Sequence, residues 1–363
     1  MFSDLSMDAT LSVLRHSIPL TSAYKLSFGP VRSFDTFYVV LRAEGRIGAG
    51  EITPLPGYSS ETPESVAREL TDFADNLEKG LPFSKLLQDM AKRSPFTASG
   101  VACAYETRLE GPKAAFSAPV PKPIPLAGFC GGDTPERSAE CARKLLQQGY
   151  STLKMKVGAM EPLGDAARVR AVAGELLPGC VVRLDANQAY TPDQALAFCR
   201  EIEDIQAVEL LEQPFSPEMW LEHEKLIEQT RLSIMLDESI WTEDDLQRAS
   251  DCGAKLVKSK LCKHLGMDGS KKMVKSAIEL GLGVVYGNGV QTALGNHLEA
   301  RVYHETDLSK ASEGNGFLKP LDSPLRHEIT VQNGMLVDNG IQNFEAAFER
   351  GTLAARAKFS LEP

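Results

Sequence analysis

The sequence predicts an α/β protein built around a closed barrel of parallel strands, each followed by a helix. After a proline-rich stretch, short apolar runs alternate with helical segments at least seven times. Successive strand ends lie 29, 27, 25 and 23 residues apart, counted from Lys156 through Asp185, Glu212 and Asp237 to Lys260. Each interval holds one strand, one helix and two loops, and seven such units in a row favour a closed barrel.

An open, doubly wound sheet is the alternative fold. Such a sheet would be expected to carry a glycine-rich GxGxxG turn after its first strand. The sequence lacks that motif, and Gly287-Asn-Gly289 is too short to replace it.

Length and charge exclude several classes of function. At about 150 residues per domain, 363 residues suggest two domains, or one large barrel with an addition. The 39 basic and 49 acidic residues give a net charge of −10. This balance argues against non-specific binding to nucleic acid or to an anionic membrane, although a local cationic pocket for an anionic substrate stays possible.

Cysteine usage and the N-terminal residues predict a cytoplasmic enzyme. The seven cysteines are odd in number and form no CxxC pair, which argues against a disulfide framework or a structural zinc site. The first 20 residues have neither a basic start nor an apolar run typical of a signal peptide. No run of about 18 apolar residues indicates a membrane span.

The chain divides into three predicted regions. Strand-like runs at 37–41 and 46–52 are followed by helical patterns from Pro63, and residues 112–125 hold five prolines, which is typical of a linker. We therefore predict an α+β domain over residues 1–122 and a barrel with a metal site over 123–330. Residues 331–363 are expected to return to the N-terminal domain.

The barrel strands and their helix starts can be placed in order. Strands are predicted at 124–130, 152–157, 181–185, 207–212, 233–237, 256–261 and 283–287. Thr134, Thr191, Ser216 and Thr242 are predicted to open helices, because hydroxyl side chains accept hydrogen bonds from the first turn. Proline follows the first three, a residue favoured at the first helical position.

Three carboxylates end adjacent strands: Asp185 the third, Glu212 the fourth and Asp237 the fifth. The carboxyl ends of barrel strands meet at one face, where barrel enzymes build their active sites. Three converging carboxylates repel one another unless a cation lies between them. An all-oxygen ligand set favours Mg²⁺, or Mn²⁺, over zinc.

Paired lysines mark the second and sixth strands. Lys154 and Lys156 lie two residues apart and share one side of a strand, and Lys258 and Lys260 repeat the spacing. Close ammonium groups lower each other's pKa, which helps one of them to act as a base. Lys154 and Lys258 are also expected to pair with the carboxylates.

Strands two and six are diametrically opposed in an eight-stranded barrel. Lys156 and Lys260 should therefore flank a substrate on opposite faces, with the metal to one side. This layout suits removal of a proton α to a carboxylate: the metal stabilises the enediolate, one lysine takes the proton and the other returns one.

These residues stand within five motifs that resemble those of the enolase superfamily, and most of all its muconate-lactonising-enzyme (mandelate racemase/muconate cycloisomerase) subgroup. The motifs are Lys154-Met-Lys156, Leu184-Asp-Ala-Asn187, Leu211-Glu-Gln-Pro214, Leu236-Asp-Glu-Ser239 and Lys258-Ser-Lys260.

The resemblance implies a fold, a cofactor and roles for individual residues. The implied fold is a modified (β/α)7β TIM-type barrel under an α+β capping domain, which the N-terminal segment and the C-terminal tail form together. Mg²⁺ would bind Asp185, Glu212 and Asp237; Lys156 and Lys260 would be the acid and base. Lys154 would tune Lys156, and Asn187, Glu238 and Lys258 would support the ligands. Homo-oligomers are common among such barrels.

Several reactions share this catalytic set, namely racemisation or epimerisation, muconate cycloisomerisation and dehydration to o-succinylbenzoate. Two opposed lysines favour racemisation or epimerisation of a small carboxylate such as an N-substituted amino acid. Gln291 stands where relatives often have glutamate, and an Asp-x-Asp pair typical of dipeptide epimerases is missing near the eighth strand. Tyr24, Tyr58, Asn288 and Gln291 are the candidate substrate contacts.

Two other classes of protein remain open. A Schiff-base aldolase is also a barrel with a strand lysine, but it needs no converging carboxylates. A non-catalytic binding barrel would be expected to have lost a ligand or a lysine, and the sequence retains them all.

Overall fold

The computed structural model describes residues 7–26, 29–322, 325, 328–349 and 351–361. Within these ranges no helix combines the length and apolar character needed to cross a membrane.

An antiparallel sheet and three helices form the N-terminal domain. The strands are β1 (Met7–Leu26), β2 (Gly29–Ala43) and β3 (Arg46–Ile52), and the helices are α1 (Pro63–Glu78), α2 (Phe83–Ala91) and α3 (Pro95–Glu110). Thr62 and Ser65 form a reciprocal capping box that starts α1. An apolar cluster fills the space between the sheet and the helices.

Seven parallel strands alternate with helices through the middle of the chain. A short strand, β4 (Ile124–Pro125), precedes them. The alternating elements are β5 (Ala127–Cys130), α4 (Pro135–Gln147), β6 (Thr152–Lys156), α5 (Pro162–Ala173), β7 (Val181–Asp185), α6 (Pro192–Ile202), β8 (Val208–Glu212), α7 (Trp220–Gln229), β9 (Ile234–Leu236), α8 (Glu243–Asp251), β10 (Leu256–Ser259), α9 (Gly266–Glu279), β11 (Gly283–Tyr286) and α10 (Ala293–Glu305). The sheet runs in sequence order from β5 to β11.

A short extended segment closes the sheet into a barrel. Within residues 311–313, Ser312 bridges Leu126 in parallel and Glu313 donates its backbone N–H to the Tyr286 carbonyl oxygen, so the segment lies between β11 and β5. The predicted modified TIM-type barrel with a capping domain is confirmed.

Two sequence predictions about barrel elements need correction. The strand predicted over 124–130 is divided, because β4 pairs antiparallel with a later hairpin while β5 enters the barrel. The helix predicted to open at Ser216 begins instead at Trp220, after a turn in which the Met219 N–H donates to the Ser216 carbonyl. Thr134, Thr191 and Thr242 do cap their helices.

The end of the chain adds β12 (Ile329–Gln332), β13 (Met335–Asp338), α11 (Ala346–Glu349) and β14 (Thr352–Leu361). The β12–β13 hairpin pairs with β4, whereas β14 pairs antiparallel with β1 and completes the sheet of the N-terminal domain. The domain boundaries at residues 122 and 330 stay predictions.

Buried polar contacts fix the N-terminal domain on the barrel. Glu51, from β3, accepts hydrogen bonds from the Thr292 N–H and hydroxyl and from the Gly295 N–H at the start of α10. Glu106, from α3, accepts from the N–H groups of Met267 and Asp268 at the start of α9. Carboxylates are favourable partners for the free N–H groups of a helix start.

Glycines allow α3 to lie directly on β3. A Cβ at Gly48 would overlap the Ala104 carbonyl oxygen, and a Cβ at Gly50 would overlap that of Gly100. The close approach of backbone to backbone therefore depends on the missing side chains.

We expect Gly50→Ala to lower the free energy of unfolding by about 1–3 kcal/mol, because α3 must move away from β3. Gly174→Ala is the matched control: Gly174 is exposed, has a helical φ of −63°, and a Cβ there would meet no atom closer than 3.5 Å, so alanine should be neutral or mildly stabilising. Thermal and urea unfolding of both variants check this. Equal stability of the two variants would contradict the close packing.

Candidate active site

A cavity of about 710 Å³ lies where the barrel strands end, beneath the N-terminal domain. Residues 20–22, at an irregularity in β1, and the loop at 55–58 cover the cavity, and strand-end side chains form its floor and walls. The register of the parallel strands places these side chains at one level of the barrel: Lys156 of β6 lies opposite Asp185 of β7, and Asp185 lies opposite Glu212 of β8.

Lys154 is the centre of a buried ion-pair network. Its Nζ lies 2.9 Å from Asp185 Oδ2, 2.8 Å from Glu212 Oε2 and 2.8 Å from Glu313 Oε2. Burial opposes the charge of Lys154, but the three carboxylates outweigh burial and raise the pKa of its ammonium. In the structure, Lys154 thus forms ion pairs with the carboxylates, as the sequence predicted.

Lys258, in the sixth barrel strand (β10), belongs to the same network. Its Nζ contacts Glu212 Oε1 at 2.5 Å and Glu313 Oε2 at 2.9 Å. Burial, with the neighbouring Asp185 charge, raises the pKa of Glu212 to about 8 although two ammonium groups contact it. At Glu313 the two lysines outweigh burial and hold the pKa below its usual range.

A second network surrounds Asp237. Lys260 Nζ donates to Asp237 Oδ2 at 2.7 Å, and Lys263 Nζ donates to the Asp237 backbone oxygen at 2.7 Å. The Tyr58 hydroxyl donates to Asp237 Oδ1 at 2.8 Å. Burial works against the charge of Asp237, but Lys260 and Lys263 overcome it and hold the pKa well below its usual range.

The pKa of Lys260 differs from the sequence prediction. Proximity of two lysines was expected to lower it, but Asp237 and Glu238 overcome burial and raise it. The ring centroid of Tyr58 lies 3.9 Å from Lys260 Nζ, close enough for a cation–π contact. Lys260 is therefore held as a charged ammonium.

Lys156 has different surroundings, on the opposite side of the barrel. Its Nζ donates to Asn187 Oδ1 at 3.4 Å, and Asn187 Nδ2 donates to Glu238 Oε1 at 2.7 Å. The other carboxylate oxygen of Glu238, Oε2, is buried and has no hydrogen-bond partner among the residues that the structure describes. Lys156 thus contacts a neutral amide rather than a carboxylate.

The four candidate substrate contacts fall in different places. Tyr58 and Asn288 line the cavity. Gln291 does not: its Oε1 accepts from the Gly289 N–H, and the side chain is buried beneath the loop. Tyr24 lies in β1, but its side chain is outside the described residues.

Sequence reasoning missed Glu313, Lys263 and Lys319, which lie in or beside the cavity. Glu313 could have been found from the barrel period, because it follows Gly287 by 26 residues. Lys263 has no such signal, because a single 3₁₀ turn at Leu261–Lys263 brings it back to Asp237.

The site fits a hard divalent cation by the chemistry of its donors. Asp185, Glu212 and Asp237 all face the cavity and offer only oxygen. Over the described ranges, however, no group of three or more acidic, histidine or cysteine side chains is already arranged so that it could hold a metal ion. Lysine ammonium groups lie among the carboxylates, and Glu238 Oε2 and Glu313 Oε1 are buried with no hydrogen-bond partner in the described part of the chain.

A model of the enolase C-terminal domain-like family matches residues 137–340, more than half of the chain. The chain belongs to the enolase superfamily. A model of the MenC N-terminal domain matches residues 9–108. The resemblance to the muconate-lactonising and mandelate racemase subgroup is confirmed.

Relatives within the enolase superfamily have two different activities. An o-succinylbenzoate synthase of Citrobacter koseri is 30% identical over 292 residues, 80% of this chain and 85% of that protein. An L-Ala-D/L-Glu epimerase of Bacillus subtilis is 29% identical over 349 residues, 90% of this chain and 91% of that protein. This superfamily member is therefore an enzyme of the isomerase or lyase type.

Solved structures share the superfamily fold. The Bacillus subtilis epimerase in a substrate-liganded complex has a TM-score of 0.77 at 22% identity and covers 92% of this chain and 98% of its own. A muconate lactonizing enzyme of Pseudomonas fluorescens has a TM-score of 0.78 at 21% identity and covers 96% and 97%. A dipeptide epimerase of Enterococcus faecalis, complexed with Mg and the dipeptide L-Leu-L-Tyr, has a TM-score of 0.77 at 23% identity and covers 93% and 98%.

We expect Lys154→Met to lower the free energy of unfolding by about 3–5 kcal/mol near neutral pH, because Asp185 loses this ammonium and Glu212 and Glu313 keep only Lys258 of the two lysines that contact them. Protonation of those carboxylates relieves the penalty, so the deficit should be smaller at about pH 5.5 than at about pH 7.5.

Thermal and urea unfolding without added divalent cation measure this effect. Lys144→Met is the control, because Lys144 pairs with Glu140 on an exposed helix face and the loss of an exposed ion pair should leave the free energy of unfolding nearly unchanged. A deficit that did not change with pH would contradict the network's electrostatic role.

Proposed function

We propose that this enzyme moves the proton on the α-carbon of a small carboxylate, and that it racemises or epimerises an N-substituted amino acid in this way. The observation that carries the proposal is the placement of Lys156 and Lys260 at the ends of the second and sixth strands, on opposite sides of one cavity. The epimerase relative supports the same reaction type.

Asp185, Glu212 and Asp237 are the proposed ligands of a magnesium ion. All three line the cavity, and the Mg-containing complex of the Enterococcus faecalis epimerase supports the same ion here, with Mn²⁺ as an alternative. When bound, the ion would stabilise the negative charge that develops on the substrate carboxylate as the α-proton leaves. Lys154 and Lys258 would balance the remaining charge of Glu212 and Glu313.

The two lysines have complementary surroundings for a two-base reaction. Lys260 is held charged by Asp237 and can donate a proton from one face. Lys156 contacts the neutral Asn187 amide and, in its neutral form, can accept the α-proton from the other face. The roles exchange in the reverse direction, so either enantiomer can be the substrate.

Dehydration to o-succinylbenzoate is the second candidate. In that reaction one base removes the α-proton and a hydroxyl leaves as water, while the other lysine stays charged. The short contacts of Lys260 with Asp237 and with the Tyr58 ring favour such a fixed charge. The MenC N-terminal match and the Citrobacter koseri relative agree with it. A muconate cycloisomerase-like reaction remains a more distant alternative.

Proton NMR in D₂O with Mg²⁺ separates these candidates. We expect wild-type enzyme to exchange the α-proton of an N-acylated amino acid without forming a new product. Lys156→Ala and Lys260→Ala should each lose racemisation by about 10²-fold or more, while each keeps exchange for the enantiomer that faces the remaining lysine.

Lys255→Ala is the control and should leave the rate of racemisation unchanged. Lys255 is exposed and directly precedes β10, the strand that leads to Lys260. Full racemisation by Lys260→Ala would exclude two-base transfer. A vinylic product from an o-succinylbenzoate precursor, with no exchange of amino acids, would favour the dehydratase.

Magnesium binding can be tested apart from catalysis. We expect isothermal titration calorimetry to detect Mg²⁺ binding to the wild-type protein, and Asp185→Asn to weaken it by about ten-fold or more, since it removes one anionic ligand. Asp193→Asn, exposed on α6, should bind normally. Absence of binding to wild-type protein would overturn the metal assignment.

A further inference from the structure

Two of the seven cysteines lie next to each other at the end of the first barrel strand. Cys130 is the last residue of β5, and Cys141 lies on α4, the helix that follows. Both are free thiols, and the Cys130 thiol is in hydrogen-bond contact with the Cys141 side chain. Neither takes part in the proposed reaction, so that reaction does not explain why they meet.

Backbone contacts hold the two sulfur atoms close together. The Gly131 N–H donates to Cys141 Sγ at 3.3 Å, and Cys130 Sγ donates to the Ser138 carbonyl oxygen at 3.4 Å. Each sulfur therefore contacts the chain segment that carries the other. Two glycines follow Cys130, and a Cβ at the first of them would meet no atom within 4 Å. The backbone thus has room for the adjustment that disulfide geometry requires.

The two thiols differ in their access to solvent. Cys130 is buried, whereas Cys141 is partly exposed. Burial, together with the adjacent Cys141, raises the pKa of the Cys130 thiol to about 12, while the Arg168 guanidinium acts in the opposite direction. Oxidants react first with the sulfur that they can reach. Cys141 is therefore the sulfur that meets an oxidant, and Cys130 is the thiol held beside it.

We propose that Cys130 and Cys141 are an oxidation site, a pair of thiols that forms a reversible disulfide with hydrogen peroxide. The Cys141 sulfur attacks one peroxide oxygen and becomes a sulfenic acid, while the O–O bond breaks and the other oxygen leaves as water with the Cys141 proton. The Cys130 sulfur then attacks the sulfenic sulfur, and the hydroxyl group leaves as water with the Cys130 proton. Two thiols and one peroxide thus give one disulfide and two waters. The pair would react in this way whatever the substrate of the enzyme.

The disulfide would connect the oxidation state of the protein to the cavity through the end of β5. Phe129 directly precedes Cys130 and lines the cavity, and the centroid of its ring lies 5.8 Å from Lys154 Nζ. A covalent link from Cys130 to α4 restrains this strand end. The backbone amides around Phe129 should then open less often than in the reduced protein.

Peptide mapping of the whole enzyme, after brief exposure to hydrogen peroxide and blocking of the remaining thiols, tests the pair. We expect linked peptides that contain Cys130 and Cys141, and we expect dithiothreitol to separate them. Cys141→Ser should abolish the link and leave Cys130 reduced, because Cys130 is buried. Cys130→Ser should instead leave Cys141 as a sulfenic acid that dimedone traps. Cys252→Ser is the matched control: Cys252 is also partly exposed, and its loss should leave the link unchanged.

Thermal unfolding shows whether each variant is folded, and Cys130→Ala replaces Cys130→Ser if the buried hydroxyl prevents folding. The wild-type map decides the question without any variant. Oxidation of Cys141 to the sulfinic acid without a link would overturn the proposal, and so would a map in which both thiols stay reduced while Cys252 is oxidised.

Hydrogen exchange, measured by mass spectrometry, tests the effect on the strand. Exchange over residues 127–132 should be at least about three-fold slower in the linked protein than in the reduced protein, because the link suppresses local opening. Dithiothreitol should restore the faster exchange. Equal exchange in the two forms would contradict the restraint on β5 even if the disulfide forms.

Discussion

Charge compensation in the barrel mouth is the constraint on which the site depends. Lys154 alone contacts three buried carboxylates, on β7, β8 and the closing segment of the barrel. Removing any one charge would leave its partners with fewer opposite charges in a medium that solvates ions poorly. The acidic and basic strand ends are therefore interdependent. A divalent cation entering among these carboxylates would have to redistribute existing ion pairs rather than fill a neutral space.

Buried carboxylates also hold the N-terminal domain against the barrel. Glu51 and Glu106 reach from the N-terminal domain to the first turns of α10 and α9. Burial raises the pKa of both carboxyls, to about 7 at Glu106, and the helix N–H groups act in the opposite direction. Because α9 and α10 follow β10 and β11, these contacts fix the position of the N-terminal domain relative to the strand ends that it covers.

Much of this arrangement was predictable from the sequence, because a repeating barrel unit converts spacing along the chain into position around a ring. That period predicts the positions of Lys156, Asp185 and Glu212 at neighbouring strand ends. Glu313 was missed because its extended segment is too short to show an apolar strand pattern, although its distance of 26 residues from Gly287 fits the barrel period. The raised pKa of Lys260 and the burial of Gln291 could not be predicted, because both depend on tertiary neighbours.

The pairing of β1 with β14 has a consequence for biosynthesis. Met7 lies opposite Leu361 in the register of the sheet, and more than 300 residues separate the two strands along the chain. On the ribosome, β1 must keep one edge open while the whole barrel sequence is translated, and an open edge invites wrong pairing. Folding of the nascent N-terminal domain is thus completed only when the last strand emerges, after the barrel beneath it has been made.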